Sequence, residues 1–190
     1  MDETKSKPNS HFIQSFLKDN KKILIIFVII LIIIILSYFL LDYFKQKKNI
    51  KISEKYNTVQ IQILKNQKIK NKEVLLEIIN EKNKFYSPMA LNLILEKKID
   101  ISKNEIIKLF DIILSISQMS ESDKDLFKIK KAMYLSRSSE INEDEILKLL
   151  NPIINSDSVW RIKAITFLEK YYITNNEIEK SKEFSNLLKN

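Results

Sequence analysis

Two kinds of hydrophobic patterning divide this chain. From Ile23 to Leu41 the sequence ILIIFVIILIIIILSYFLL runs for 19 residues without a charge. Beyond residue 50, apolar residues instead recur three and four apart, as in Ile106, Leu109, Phe110, Ile113 and again in Ile146, Leu149, Leu150, Ile153. The first pattern predicts a helix that is apolar on every side. The second predicts amphipathic helices, each with one stripe to bury. As a helix the 19-residue run rises about 28 Å, close to the ~30 Å hydrocarbon thickness of a bilayer. Lys21 and Lys22 flank one end, and Lys45, Lys47 and Lys48 flank the other. Tyr38 and Tyr43 fall near the second interface, where rings with a polar tip are favoured. A cleaved signal peptide has a shorter apolar region followed by small residues, whereas Tyr, Phe and Leu stand at that place here. The reading is a basic tail over 1–22, a retained transmembrane helix over 23–41, and a stalk plus helical domain over 42–190.

Within that domain a short pattern, Ile-x-x-x-Glu-(Ile/Val), occurs four times: IKNKEV at 69–74, ISKNEI at 101–106, INEDEI at 141–146 and ITNNEI at 173–178. The steps are 32, 40 and 32 residues. In three copies a good N-cap stands three residues before the Glu: Ser102, Asn142 and Thr174. Its side-chain oxygen can accept from an orphan backbone N–H while Glu105, Glu145 or Glu177 reaches back, and Ile101, Ile141 or Ile173 can staple the turn. Lys70 makes the first copy a poorer start. Each marked helix is preceded by another apolar helix, at about 50–66, 88–98, 124–136 and 158–173 by the 3.6-residue period. Ser87-Pro88 reads as a cap followed by proline at the first helical position, and Asp157 or Ser158 can cap the last of the four. Ala90, Ala132 and Ala164 give three of these helices one small residue each. Four helix pairs with a period of 32–40 residues are the mark of a helical-hairpin solenoid, in which stacked neighbours supply the core that a lone hairpin lacks. The alternative is an irregular helical domain in which the capping boxes coincide.

Charge changes the picture little. The formal net charge is +8, a value that by itself suggests nucleic acid. Residues 1–48 carry a net +4, so half of the excess sits around the apolar run, and the remainder is mixed-sign as on solvated helix faces. No nucleic-acid partner is expected. Three Lys lie within fifteen residues before the span (Lys18, Lys21, Lys22) and five within fifteen after it (Lys45, Lys47, Lys48, Lys51, Lys55). By the positive-inside rule this slightly favours a cytoplasmic C-terminal domain, although long domains translocate regardless of such differences.

The residue inventory argues against chemistry. There is no Cys, hence no thiol nucleophile, disulfide or thiolate metal site. There is no Gly, which excludes the phosphate-cradling Walker and Rossmann loops. The one histidine, His11, precedes the span and is separated by the bilayer from any serine or carboxylate of the helical domain. Glu121, Asp123 and Asp125 in SESDKD alternate like a calcium loop but lack its glycine and terminal glutamate; acids at a helix start account for them. No enzyme, cofactor or metal is expected. Trp160, the sole tryptophan, reads as packing between the last hairpins, with a partner contact as the alternative. Tyr86, Asn92, Lys131, Arg137, Lys163 and Tyr171 lie on or near first helices of hairpins, which line the concave surface of a solenoid. With Trp160 they are the candidate partner-binding residues; for each the alternative is a solvated face. Tyr171 and Tyr172 are expected to divide their rings between core and surface.

The stretch VWRIKAITFLEKYYITNNEIEKSKEFSNLL opens a helix with Trp-Arg, places an Ala four residues after the Trp and passes through a polar turn to a last helix. Together with FYSPMALNLIL, the basic tail and the single span, it resembles the bacterial ancillary Sec-translocon subunits, membrane-anchored proteins with a tetratricopeptide-like domain. The repeat glycines of that family are absent here. The resemblance implies an all-α chain: a single N-terminal transmembrane helix followed by a tetratricopeptide-like solenoid of about four helix hairpins. It implies the bacterial inner membrane, a periplasmic C-terminal domain (against the lean of the charge count), and protein partners at the Sec translocon or among periplasmic chaperones. The expected function is a membrane-anchored protein–protein interaction adaptor; a structural assembly factor for an inner-membrane complex is the alternative.

Overall fold

The computed structural model describes residues 21–64, 69–137 and 143–188. Among them the structure is all-helical, with eight helices: α1 (Lys21–Leu64), α2 (Ile69–Asn80), α3 (Tyr86–Glu96), α4 (Lys103–Leu114), α5 (Glu121–Leu135), α6 (Glu143–Ile154), α7 (Arg161–Thr174) and α8 (Ile178–Leu187). His11, Ile141 and Asn142 lie outside the described residues. The chain forms two compact units, one ending at Lys51 and the other running from Ile52 to Asn190.

In the first unit α1 contains a segment long and apolar enough to cross a membrane, with mean hydropathy 3.5. Its described apolar side chains are exposed from Ile23 through Phe44. Sequence periodicity predicts a separate helix starting near residue 50; instead α1 runs through that point without a break. LDYFKQKKNIK holds neither Pro nor Gly, so nothing interrupts the i to i−4 ladder. Gln46 Nε2 donates to Asp42 Oδ2 at 2.8 Å one turn back.

In the second unit Ile52, Tyr56, Val59 and Ile63 are buried along one stripe of α1. They join a core with Leu75, Ile78 and Ile79 of α2, Ala90, Leu91 and Ile94 of α3, and Ile106, Leu109, Phe110 and Ile113 of α4. Lys55 forms an ion pair with Glu77 across to α2. A second core joins Ile129, Ala132 and Leu135 of α5, Ile146, Leu150 and Ile153 of α6, and Ala164, Ile165, Leu168 and Tyr172 of α7. The three alanines are fully buried, as their size among long apolar neighbours anticipates. From α2 onward each helix packs on the next, and α2 also touches α4. The most extensive packing is between α7 and α8, α2 and α3, and α5 and α6. The pairing expected between α3 and α4 is sparser than that between α2 and α3, so the predicted hairpins are not all the tightest pairs.

The four-fold pattern marks the entry to each second helix, but not in one register. Ser102 does cap α4: its Oγ accepts from Glu105 N at 3.3 Å, and Ile101 is buried beside it. The last copy falls differently. Ile173 and Thr174 close α7, Thr174 Oγ1 donates to Lys170 O, and α8 starts only at Ile178. Asn176, at φ 61°, stops α7, and Glu177 N reaches back to Tyr172 O at 2.9 Å, the long bond of a Schellman end. Thr174 is therefore not an N-cap; an αL-tolerant asparagine two residues later terminates the preceding helix first. Ser87 is likewise not a cap. It is the buried second residue of α3, donating to Ile78 O at 2.6 Å, while Asn83 Oδ1 accepts from the N–H groups of Phe85 and Tyr86. Pro88 stands third in the helix, still within the first turn, where its missing N–H costs nothing.

Helix ends favour glycine at φ > 0, because a Cβ there costs roughly 1 kcal/mol. This chain has no glycine, and Lys82 (φ 51°) and Lys98 (φ 48°) take that conformation after α2 and α3. Replacing exposed Lys82 by Gly is expected to stabilise the full chain in detergent by about 0.5–1 kcal/mol, read as a higher urea midpoint; an unchanged or lower midpoint contradicts the account.

Candidate functional site

Helix α5 forms one wall of a concavity in the second unit. Leu95, Ile99 and Ile106 from α3, the α3–α4 connection and α4 face Met133 and Tyr134 of α5 across a cleft of about 530 Å³. Tyr134 is held from behind by Phe110, with ring centroids 6.0 Å apart. Of its polar lining residues Glu96, Lys98 and Arg137 are exposed, while Asn92 and Lys130 are half-buried. Lys130 Nζ donates to Asn92 Oδ1 at 2.8 Å and lies 4.9 Å from the centre of the Phe127 ring. Burial pushes the Lys130 ammonium down from the ordinary lysine pKa. A smaller cleft of about 260 Å³, sharing Asn92 and Glu96 with the first, lies between Tyr56, Gln60, Met89 and Leu93.

Of the seven candidate residues, the structure brings Asn92 and Arg137 together in the main cleft. Tyr86 is half-buried, its ring centroid 5.9 Å from that of Tyr56. Lys163 is exposed on α7. Trp160 packs on the second core, its indole N–H donating to Ser122 Oγ at 3.1 Å. Tyr171 is buried with Tyr172 rather than divided from it: both rings face inward, 5.3 Å apart, and Tyr171 also stacks on Phe167. Lys131 is buried, with Asp111 of α4 and Glu145 of α6 each 2.9 Å from its ammonium. Desolvation alone would lower its pKa, but the hydrogen bonds that its ammonium donates to these two carboxylates, with their charge, outweigh it and the pKa is raised. Lys131 thus joins three helices and lines neither of these two clefts. Lys130, Met133 and Tyr134 were missed as site residues, although with Arg137 they form an i, i+3, i+4, i+7 stripe that marks one helix face.

A polar cluster ties α8 down. Glu143 Oε1 accepts from Lys180 Nζ at 2.7 Å and from the Tyr172 hydroxyl at 2.9 Å, and Lys180 also pairs with Glu177. Tyr172 stacks on Phe184 with centroids 5.5 Å apart. Its partners are satisfied within the cluster, which is thus a fastening rather than a site. Glu121 and Asp123 of SESDKD lie in the first turn of α5 under the Ser120 cap. Among the described residues no three His, Asp or Glu gather as metal ligands do.

Compared with protein families, curated proteins and solved structures, the chain matches none.

The Lys180 ammonium, then the Tyr172 hydroxyl, hold the Glu143 carboxyl below its ordinary pKa of 4.5, against a smaller opposing effect of burial. The stability this contributes is present above that ordinary value and is lost as pH falls through the depressed folded-state value. Melting the full chain at pH 7 and pH 3 should show a larger loss for wild type than for Glu143→Gln; equal losses contradict the assignment.

Proposed function

We propose that this protein is a membrane-anchored adaptor that holds a segment of another protein in the cleft between α3 and α5. The single observation that carries the reading is the make-up of that cleft: buried Ile94, Ile99 and Ile106 behind a mostly apolar lining, with Glu96, Lys98 and Arg137 exposed beside it. Small-molecule sites place polar groups convergently inside the pocket. Protein interfaces bury an apolar anchor within a polar ring. The volume suits one or two anchoring side chains with their flanking backbone. The apolar segment of α1 serves as the tether, and tethering raises the effective concentration of a weak binder beside its partner. In this reading the helices of the second unit stack as about four tetratricopeptide-like hairpins. The site is the periplasmic face of a bacterial inner membrane, beside the Sec translocon or a periplasmic chaperone. Location and partner both rest on the resemblance of the C-terminal stretch.

A structural assembly factor is the second reading. It is favoured by the apolar side chains of α1, which are exposed among the described residues and so open to other membrane helices. Against it, the span offers Ser37 alone as a small residue and lacks the small-xxx-small pattern of tight helix packing.

A photo-crosslinking residue placed at Leu95 in the full-length protein should capture the same partner after the span is exchanged for an unrelated one. Loss of the crosslink on that exchange favours the assembly factor. An alkaline phosphatase fused to the C-terminus should be active, and an inactive fusion places the domain on the cytoplasmic side.

A further inference from the structure

We infer that the cleft recognises an acidic, apolar segment: an apolar side chain seated against Leu95, Ile99, Met133 and Tyr134, with a neighbouring carboxylate met by Lys98, Lys130 and Arg137. This deepens the adaptor reading and rests on it.

Charge around the cleft is one-sided. Three cations and one carboxylate line it. The carboxylate, Glu96, lies 2.7 Å from Lys97, a lysine outside the cleft's lining. Among the described residues neither Lys98 nor Arg137 has an ionic partner, and both are exposed. Lys130 sharpens the contrast. Along α5, Lys124 pairs with Glu121, Lys128 with Asp125, and Lys131 with both Asp111 and Glu145. Lys130, half-buried on the cleft side, is held instead by the neutral amide of Asn92 at 2.8 Å and by the Phe127 ring. A partly desolvated ammonium whose oxygen partner is neutral gains most from an incoming carboxylate, because charge-assisted hydrogen bonds are about twice as strong as neutral ones. The same side chain that burial disfavours as a cation would be restored to it by the ligand. The mostly apolar lining argues for a side chain next to that carboxylate rather than for a bare anion.

The test uses the full chain in nanodiscs of neutral phosphatidylcholine, with fluorescence polarisation of two short labelled peptides. One alternates Leu-Phe pairs with Glu; the other has every Glu replaced by Gln. The Glu peptide should bind at least about tenfold more tightly, a difference of about 1.4 kcal/mol. It should weaken as salt rises from about 50 to about 300 mM, since rim charges are screened. The double variant Lys98→Glu/Arg137→Glu should lose about tenfold for the Glu peptide and nothing for the Gln peptide. Its melting temperature should be unchanged, as both residues are exposed. Equal binding of the two peptides, or indifference to the charge reversal, overturns the acidic specificity and leaves the adaptor reading standing. Failure of both peptides while the crosslink from Leu95 persists also overturns the inference alone. Failure of both, with saturable binding of laurate and no crosslinked protein, overturns the inference and the adaptor reading together.

Discussion

The second unit depends on α5 burying two faces at once. Phe127 and Tyr134 go to the core built by α1 to α4, while Ile129, Ala132 and Leu135 go to the core built with α6 and α7. A fifteen-residue helix with one apolar stripe would serve one neighbour and leave the other half of the domain without a wall. Ala132, with no exposed surface, leaves room for the second core, and Lys131 holds the carboxylates of the helices on either side. The same helix supplies Lys130, Met133, Tyr134 and Arg137 to the cleft. Core and candidate site are therefore two uses of one element.

Much of this was legible in the sequence because helical burial has a period. The stripe at Ile106, Leu109, Phe110, Ile113 is buried as its spacing requires, and of Ile146, Leu149, Leu150, Ile153 all but the half-buried Leu149 are buried. The first helix of each later pair lies within a few residues of its predicted bounds. Ser102 is where a capping serine should be. What the sequence hid was competition between neighbouring signals. In ITNNEI a threonine that could open a helix sits two residues before an asparagine that could close one, and the preceding helix runs through the threonine and ends at the asparagine. In YSPMA a serine before a proline resembled a cap, but Asn83 three residues upstream of Tyr86 had already satisfied the first amides. Local chemistry ranked the candidates; tertiary packing, with Ser87 drawn onto the Ile78 carbonyl, chose among them.

The lining of the candidate cleft was half legible for a related reason. Asn92 and Arg137, polar residues on helices expected to line a concave face, do line it. Lys131 was singled out on the same ground, yet it points into the protein and its neighbour Lys130 points into the cleft. Adjacent residues on a helix diverge by about 100°, so in a KK pair the face is decided by the flanking apolar spacing. Ile129, Ala132 and Leu135 place 131 with the buried side; Met133 and Tyr134 place 130 with the open one.

The ammonium of Lys131, enclosed between carboxylates from α4 and α6, has a mechanical consequence for the neighbouring cleft. Were α5 to slide by one turn, that largely covered charge would lose both counter-ions, which destabilises the shifted arrangement. The helices it joins are thus pinned lengthwise, like parts sharing a dowel. Met133 and Tyr134 follow within the next turn of the same rod, so the wall that α5 gives the cleft is fixed in register against α4 and α6.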